Sequence, residues 1–219
     1  MALIPSFAEW VAAAFDHSVG SPEWYWAEEF DDFWADWAVP PLLTVEYLAR
    51  LFRENGCLAA YSLEQVAQGI WFLMDSSSPA GIAYCLLDSD VPVEQRLDCI
   101  RAMSDFFSTF VAAAAPGPSR HHSDPFHIAI YMWWDIFPFR FESSGAGSEV
   151  GACCLGVMTS TLKVPSELCQ INALHGLNHW QPSYPREVAD VIDEFIAHGV
   201  GLSPTVRDYA QVAIGGGAL

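Results

Sequence analysis

Apolar residues recur along most of this chain at the three- to four-residue spacing of an amphipathic α-helix, and this spacing most strongly limits the fold. Three clear sets are Leu63, Val66, Ala67, Ile70, Leu73 and Met74; Ile100, Met103, Phe107, Phe110 and Val111; and Val188, Val191, Ile192, Phe195 and Ile196. No segment of useful length alternates apolar and polar residues with the β-branched side chains that strands favour. The sequence therefore predicts an all-α fold without a sheet.

Capping signals mark several helix starts. Ser62 and Gln65 match a capping box, in which each side chain accepts a hydrogen bond from the other residue's backbone N–H. Four sites place a serine or aspartate before a proline at the first helical position: Ser21-Pro22, Ser78-Pro79, Asp124-Pro125 and Ser203-Pro204. Helices are predicted near residues 5–16, 22–37, 41–54, 63–75, 79–87, 92–114, 125–137, 148–163, 166–179, 185–198 and 204–213.

The segments between these helices are mostly short, which favours antiparallel packing of consecutive helices. The expected fold is about 10 to 11 helices, either hairpins stacked into an α-α superhelix or one large helical bundle. The chain has 219 residues and 52% hydrophobic content, which suits a single domain over 1–219. The loop 115–123 divides this domain into two possible halves, 1–115 and 124–219.

The segment from Pro165 to Ala213 is the most repeat-like part of the chain. It reads as helix, short turn with proline, helix, turn and helix, with Ala173 and Leu174 in the first helix. This pattern resembles a HEAT-like α-hairpin unit. The resemblance covers about residues 165–213, and it implies an α-α superhelical stack for that part of the chain.

Charge narrows the classes of partner. The chain carries 27 acidic and 9 basic residues, a formal net charge of −18. Such a surface repels nucleic-acid phosphates and anionic membranes, so neither is expected as a partner. A basic protein would instead be attracted to it and steered towards it.

The acidic residues are concentrated near the N-terminus, where nine precede the first basic residue, Arg50. The predicted helix over 22–37 contains the densest group, and neighbouring carboxylates at i, i+4 repel one another. No lysine or arginine in that segment relieves this repulsion. The candidate partner-binding residues are Glu23, Glu28, Glu29, Asp31, Asp32 and Asp36.

The expected compartment is the cytoplasm. The N-terminus has no basic segment before its apolar run, so it does not read as a signal peptide, and no apolar run is long enough to span a membrane. The six cysteines form no C-x-x-C pair and are expected to be reduced, mostly buried thiols. They are Cys57, Cys85, Cys99, Cys153, Cys154 and Cys169.

Histidines supply two candidate metal sites. The first joins His121, His122 and His127 around Asp124, although Asp124 is better explained as a helix cap. The second is the i, i+4 pair His175 and His179, which share one helix face as metal ligands often do. Gly176 stands where a metalloprotease H-E-x-x-H motif needs glutamate. The sequence-based interpretation is therefore that these histidines are helix-end or groove residues and that no metal or other cofactor is bound.

The leading hypothesis is a non-enzymatic helical protein that engages a basic protein partner. Bacterial immunity or antitoxin-like proteins are similar to this chain in charge and class. No Gly-rich phosphate loop, G-x-S-x-G elbow or Rossmann fingerprint is present, which weakens the case for an enzyme. Two alternatives stay open: a metal-dependent enzyme using the histidines above, and a small-molecule-binding domain with an aromatic groove. The sequence does not indicate an oligomeric state.

Overall fold

The computed structural model describes residues 4–27, 39–75, 77–78, 82–138, 149–199 and 201–217. Within these ranges the protein is all-α and contains no strand, as the apolar spacing predicted. The described helices are α1 (Phe7–Phe15), α2 (Pro41–Arg53), α3 (Leu63–Met74), α4 (Val93–Asp105), α5 (Ala112–Ala114), α6 (Pro125–Tyr131), α7 (Trp133–Ile136), α8 (Glu149–Leu162), α9 (Glu167–Trp180), α10 (Pro185–His198) and α11 (Pro204–Ile214).

Three of the predicted caps form. Ser62 Oγ accepts from the Gln65 N–H at 3.2 Å, and Gln65 Oε1 accepts from the Ser62 N–H at 3.0 Å, which completes the capping box of α3. Asp124 caps α6 and Ser203 caps α11, each with proline at the first helical position. These caps are local in sequence, which is why local reasoning located them.

Some predicted helices differ from the structure in their described parts. The segment 22–37 contains a 3₁₀ turn at Trp24–Trp26 in its described part, and the described part of 79–87, residues 82–87, contains a 3₁₀ turn at Ile82–Leu86. The helix predicted over 92–114 widens into a π-helical segment at Phe106–Val111 before α5 begins. Phe106 and Phe107 are both buried there and contact Trp133, at centroid distances of 5.5 and 5.2 Å.

Helix α9 lies at the centre of the C-terminal part. It packs against α6, α7, α8, α10 and α11, and residues on all of its faces are buried. A helix that is apolar on all sides belongs inside a core. A linear stack of repeats would instead limit each helix to its neighbours in sequence. The resemblance to a HEAT-like repeat is therefore not confirmed, whereas the all-α class is.

The other helices extend the same core. Helix α2 packs against α4, α4 against α8, and α3 against both α1 and α6. One hydrophobic cluster runs from Trp10 to Ala213 and includes residues on both sides of the 115–123 loop. Ile70 and Ile192 lie in it with 3% and 0% exposure, as the helical faces drawn from the sequence require.

The cysteines are all free thiols. Cys85, Cys99, Cys154 and Cys169 are buried, Cys153 is partly buried and Cys57 is exposed. Burial raises the pKa of each of the buried thiols, which keeps them protonated and unreactive. Within the described ranges, none of the helices has the length and apolarity needed to cross a membrane.

Candidate metal centre

One face of α9 carries the candidate site. Asn172, His175, Gly176 and His179 recur at the three- and four-residue spacing that brings side chains together on one side of a helix. Gly176 lets the Trp134 ring lie directly against the α9 backbone, because a Cβ at this position would lie 2.5 Å from Trp134 Cδ1. The glycine that departs from the metalloprotease motif is thus explained by packing.

A break between two short helices faces this surface. Helix α6 ends at Tyr131 and α7 starts at Trp133, so the single helix predicted over 125–137 is divided. The side chain of Asn172 is buried at this break. Its Nδ2 donates to the Ile130 carbonyl, and its Oδ1 accepts from Trp134 Nε1 at 3.2 Å. Asn172 therefore fixes the turn that brings the next residue, Asp135, towards α9.

Asp135 meets both histidines of the i, i+4 pair. Its Oδ2 lies 2.9 Å from His175 Nε2 and its Oδ1 lies 2.7 Å from His179 Nε2. The two Nε2 atoms are themselves 3.2 Å apart. Asp135, His175 and His179 are the group of potential metal ligands in the described part of the chain. Ligands of one metal ion with bonds near 2.1 Å are themselves separated by about 3 to 3.5 Å. The separation of the two Nε2 atoms lies in this range, and the two distances to Asp135 are hydrogen-bond lengths just below it, so small side-chain shifts would let all three groups share an ion.

The electrostatics hold Asp135 as a carboxylate. Burial raises its pKa, but hydrogen bonds and charge interactions with His175 and His179 outweigh this, so the pKa lies well below the ordinary value. Residue Asp135 is exposed as a whole, yet its side chain is only 21% exposed. The side chain of His179 is 29% exposed and that of His175 is 4% exposed. The cluster therefore opens to solvent on the side of Asp135 and His179.

Two tyrosines support the inner histidine. His175 Nδ1 lies 2.7 Å from the Tyr209 hydroxyl on α11, which lies 3.0 Å from the Tyr131 hydroxyl. The Tyr131 ring stacks on His175 at a centroid distance of 4.0 Å. Burial, the hydrogen bond to Tyr131 and the nearby Asp135 charge raise the pKa of Tyr209, so its hydroxyl stays protonated. The two tyrosines together hold the His175 ring in its orientation.

His121 contacts Tyr131 and is not one of the three residues that converge in the cluster. Its ring stacks on Tyr131 at 4.6 Å and its Nδ1 lies 2.9 Å from Ser119 Oγ. Burial and the neighbouring histidines, His122 first among them, lower the pKa of His121 to about 4. It is therefore neutral at physiological pH. The exposed His122 ring lies beside it at a centroid distance of 3.9 Å, tilted by 49°.

His127 lies apart from the cluster. It is 3% exposed, and its Nδ1 accepts a hydrogen bond from the Arg120 backbone N–H at 2.9 Å. Asp124 accepts from the backbone N–H groups of Phe126 and His127, as the cap interpretation predicted, and also pairs with Arg120 at 2.8 Å. The first candidate metal site, which joined His121, His122 and His127 around Asp124, is therefore not formed by these described residues. Asp124 and His127 instead bond the backbone of the loop and of the start of α6.

The acidic candidates fall largely outside the described residues. Glu23 is partly exposed next to the Trp24–Trp26 turn. The remaining five, Glu28, Glu29, Asp31, Asp32 and Asp36, lie in the segment 28–38, which is outside the described ranges. Their role as a partner-binding surface stays a prediction.

Sequence reasoning missed Asp135 and Tyr209. Asp135 does carry a signal, because it is a lone carboxylate inside the apolar run 128–138. A charge in such a run usually has a partner or a function. Its partners lie 40 and 44 residues further along the chain, and no local pattern connects them. Tyr209 has no sequence signal that separates it from other tyrosines.

The fold and the cluster define an all-α protein with two histidines and one carboxylate at a solvent-facing point. Comparisons with models of protein families, with curated proteins and with solved structures find no match.

Proposed function

We propose that this protein binds a divalent transition-metal ion through the carboxylate of Asp135 and the Nε2 atoms of His175 and His179, as a metal-dependent enzyme. The observation that carries the proposal is the convergence of these donors from three helical turns, at separations of 2.7 to 3.2 Å. If both imidazoles donate to Asp135, their two Nε2 atoms cannot also bond each other. A shared cation would satisfy all three groups at once.

The chemistry of the donors suits zinc, iron(II), cobalt or manganese. Imidazole and carboxylate ligands favour these ions, and three protein ligands leave a position for water or substrate, as catalytic sites require. The side chains of Asp135 and His179 are 21% and 29% exposed, so solvent reaches the cluster from this side. A metal there would supply Lewis-acid activation of a bound water. The Tyr209 hydroxyl is placed to accept from His175 Nδ1–H, the outer-shell bond that orients a metal-binding histidine.

An acid–base relay without metal fits the same residues less well. A chain from Tyr131 through Tyr209 and His175 to Asp135 is connected by hydrogen bonds. A tyrosine that donates or accepts protons near neutral pH needs a lowered pKa. That of Tyr209 is raised. The relay also leaves His179 without a function, whereas metal binding uses it.

Metal titration tests the proposal directly. We expect the untagged, metal-free protein to bind one equivalent of Zn²⁺ or Co²⁺, with visible Co²⁺ bands of nitrogen–oxygen coordination. Asp135→Asn and His179→Gln should each lower the affinity by about 100-fold or more, since losing even an outer-shell partner costs about 10- to 100-fold. Tyr209→Phe should lower it by about tenfold on the same grounds. Calorimetry and elemental analysis of purified protein measure these effects.

His198→Gln is the matched control. His198 is exposed on α10, and its Nδ1 lies 3.0 Å from the Glu194 carbonyl of the same helix. We expect this variant to bind metal like the parent. Equal loss in His198→Gln and His179→Gln would indicate nonspecific binding to surface histidines. Absence of binding to the parent, or full binding to His179→Gln, would refute the metal centre.

We also propose, as a second function, that the acidic N-terminal part engages a basic protein. Its support is that several of these acids form no salt bridge with any described lysine or arginine, whereas Arg50, Arg53 and Arg120 pair with acids elsewhere. These unpaired acids are Asp16, Glu23 and Glu46.

Charge reversal tests this second proposal. Changing Glu28, Asp32 and Asp36 to lysine should slow association with the basic partner, because steering depends on local charge. Raising the salt concentration should weaken binding of the parent. Reversal of three other exposed acids serves as the control: Asp90, Glu94 and Asp193. Equal effects of the two triple variants, or binding that is insensitive to salt, would contradict a specific acidic surface.

A further inference from the structure

A cavity of about 310 Å³ lies between the C-terminal parts of α8 and α10 and the first turn of α9. We name it the α8–α10 cavity. Its volume is at the lower end of the range found for small-molecule sites. Five of its lining side chains are apolar, and these are Leu162, Pro165, Val191, Phe195 and Leu202. The cavity therefore suits a small molecule with an apolar part.

Two sides of this cavity are held in place by contacts of the protein with itself. Gln170 Nε2 donates to the Val164 carbonyl at 3.2 Å and so fixes the turn between α8 and α9. Leu202 packs directly against the backbone of Gly199, where an added Cβ would lie 2.5 Å from Leu202 Cδ1. Arg207 Nε donates to the Leu202 carbonyl at 3.4 Å. A ligand would therefore meet walls that are already formed.

Lys163 is the cationic group that lines the cavity. It is the only lysine in the sequence, which contains 27 acidic residues. It is exposed, and it forms no salt bridge with an acid in the described part of the chain. A ligand in the cavity can therefore reach the ammonium group and pair with it.

Glu194 is the anionic group that lines the same cavity. It is exposed on α10 and pairs neither with Lys163 nor with another described base. Two side chains of opposite charge thus border one small cavity without bonding each other. Each of them is accessible to a ligand.

These two charges limit the chemistry of the ligand. A simple anion would pair with Lys163 but would be repelled by Glu194, and a simple cation would meet the reverse. A neutral apolar molecule would pair with neither group. A zwitterion pairs with both, and a free α-amino acid carries an ammonium and a carboxylate group beside a single side chain at neutral pH.

We propose that the α8–α10 cavity binds a free α-amino acid with an apolar side chain, such as leucine. The ligand carboxylate pairs with Lys163, the ligand ammonium pairs with Glu194, and the apolar side chain packs against Phe195 and its apolar neighbours. Peptide ends carry the same groups singly, the carboxylate at one end and the ammonium at the other. The inference does not depend on the metal centre, because the two sites share no residue.

The single lysine provides a direct probe of binding. Full-length protein that is made with lysine labelled with ¹³C at Cε gives one lysine side-chain signal in NMR spectra, which is that of Lys163. We expect titration with L-leucine to shift this signal and to saturate with one-to-one stoichiometry, as measured in parallel by calorimetry. A signal that does not move, or that moves without saturating, would overturn the proposal.

Three further probes show which groups of the ligand are recognised. L-leucinamide lacks the carboxylate, 4-methylpentanoate lacks the ammonium, and N-acetyl-L-leucine imitates a peptide C-terminus. Each should bind about fivefold more weakly than L-leucine, because each loses one ion pair at an exposed position. Binding of leucinamide or N-acetyl-leucine as tight as that of leucine would assign a peptide end and contradict a free amino acid.

Variants locate the two contacts. Lys163→Met and Glu194→Gln should each weaken binding of L-leucine by about fivefold. Lys163→Met should also abolish the preference for leucine over leucinamide, and Glu194→Gln the preference for leucine over 4-methylpentanoate, effects that general damage to the fold would not produce. Arg186→Met and Glu187→Gln are the matched controls, because both residues are exposed on α10 and neither lines the cavity. Equal weakening in the controls and the test variants would overturn the proposal.

Discussion

Replacing Ile70 with aspartate is expected to leave the protein largely unfolded under conditions where the parent is folded. Ile70 is 3% exposed on α3, which packs against both α1 and α6. A carboxylate there would lose its water among the apolar side chains of the described core, so it would be buried without a partner. We expect a loss of more than about 4 kcal/mol in the free energy of unfolding, comparable with the 5 to 15 kcal/mol that typically stabilises a domain.

Two controls separate charge burial from general damage. Ile70→Val keeps the site apolar and should cost only about 0.5 to 1.5 kcal/mol. Val212→Asp introduces the same charge at a position that is 48% exposed on α11, where substitutions usually stay within about 0.5 kcal/mol. Urea unfolding followed by circular dichroism measures all three. If Ile70→Asp unfolds at the parent's urea midpoint, the α3 face has been assigned incorrectly.

Replacing Asn172 with leucine is expected to have the next largest effect. Leucine matches asparagine in shape, but it would leave the Ile130 carbonyl and Trp134 Nε1 without their partner inside the core. Each unsatisfied buried group costs about 1 to 3 kcal/mol, so the combined loss should be about 2 to 6 kcal/mol. Because Asn172 fixes the α6–α7 break, the variant should also displace Asp135 and weaken binding of Zn²⁺.

Gln170→Leu is the matched control for this variant. Gln170 lies on the same helix and donates from Nε2 to the Val164 carbonyl at 3.2 Å, but it is only partly buried. Water can replace that bond, so the expected loss is below about 1.5 kcal/mol, with unchanged binding of Zn²⁺. Thermal unfolding and calorimetry measure both effects. An Asn172→Leu variant that unfolds and binds metal like Gln170→Leu would show that the α6–α7 break does not depend on this side chain.

Local patterns predicted the positions of most helices. The helix over 185–198 has the predicted bounds, because proline at its start and glycine at its end are local signals. The division between α6 and α7 was not predicted, because an apolar run shows no break there. At this break the Ile130 carbonyl accepts a hydrogen bond from the side chain of Asn172, which lies on another helix and 42 residues away in sequence. The π-helical segment was not predicted either. It contains Phe106 and Phe107, whose rings contact Trp133 on another helix.

The sequence indicated two of the three residues of the candidate metal site. The i, i+4 spacing of His175 and His179 placed both on one helix face, which follows from helix geometry alone. The spacing could not supply Asp135, because that carboxylate arrives from a separate helix. In the sequence, His122 and His127 are also close together and were candidates for a metal site. In the structure, the His122 ring lies beside His121, whereas His127 Nδ1 accepts a hydrogen bond from the Arg120 backbone N–H.

The sequence by itself determined the all-α class, most helix positions and the strongly negative charge, because helix spacing, caps and charge depend on residues near one another or on simple counts. Only the tertiary structure decided which histidines form a cluster and which carboxylate joins them. Contacts between α7, α9 and α11 join residues 34 to 44 positions apart. Such contacts depend on how the helices pack around α9, and the packing of a whole core is not encoded in any single local pattern.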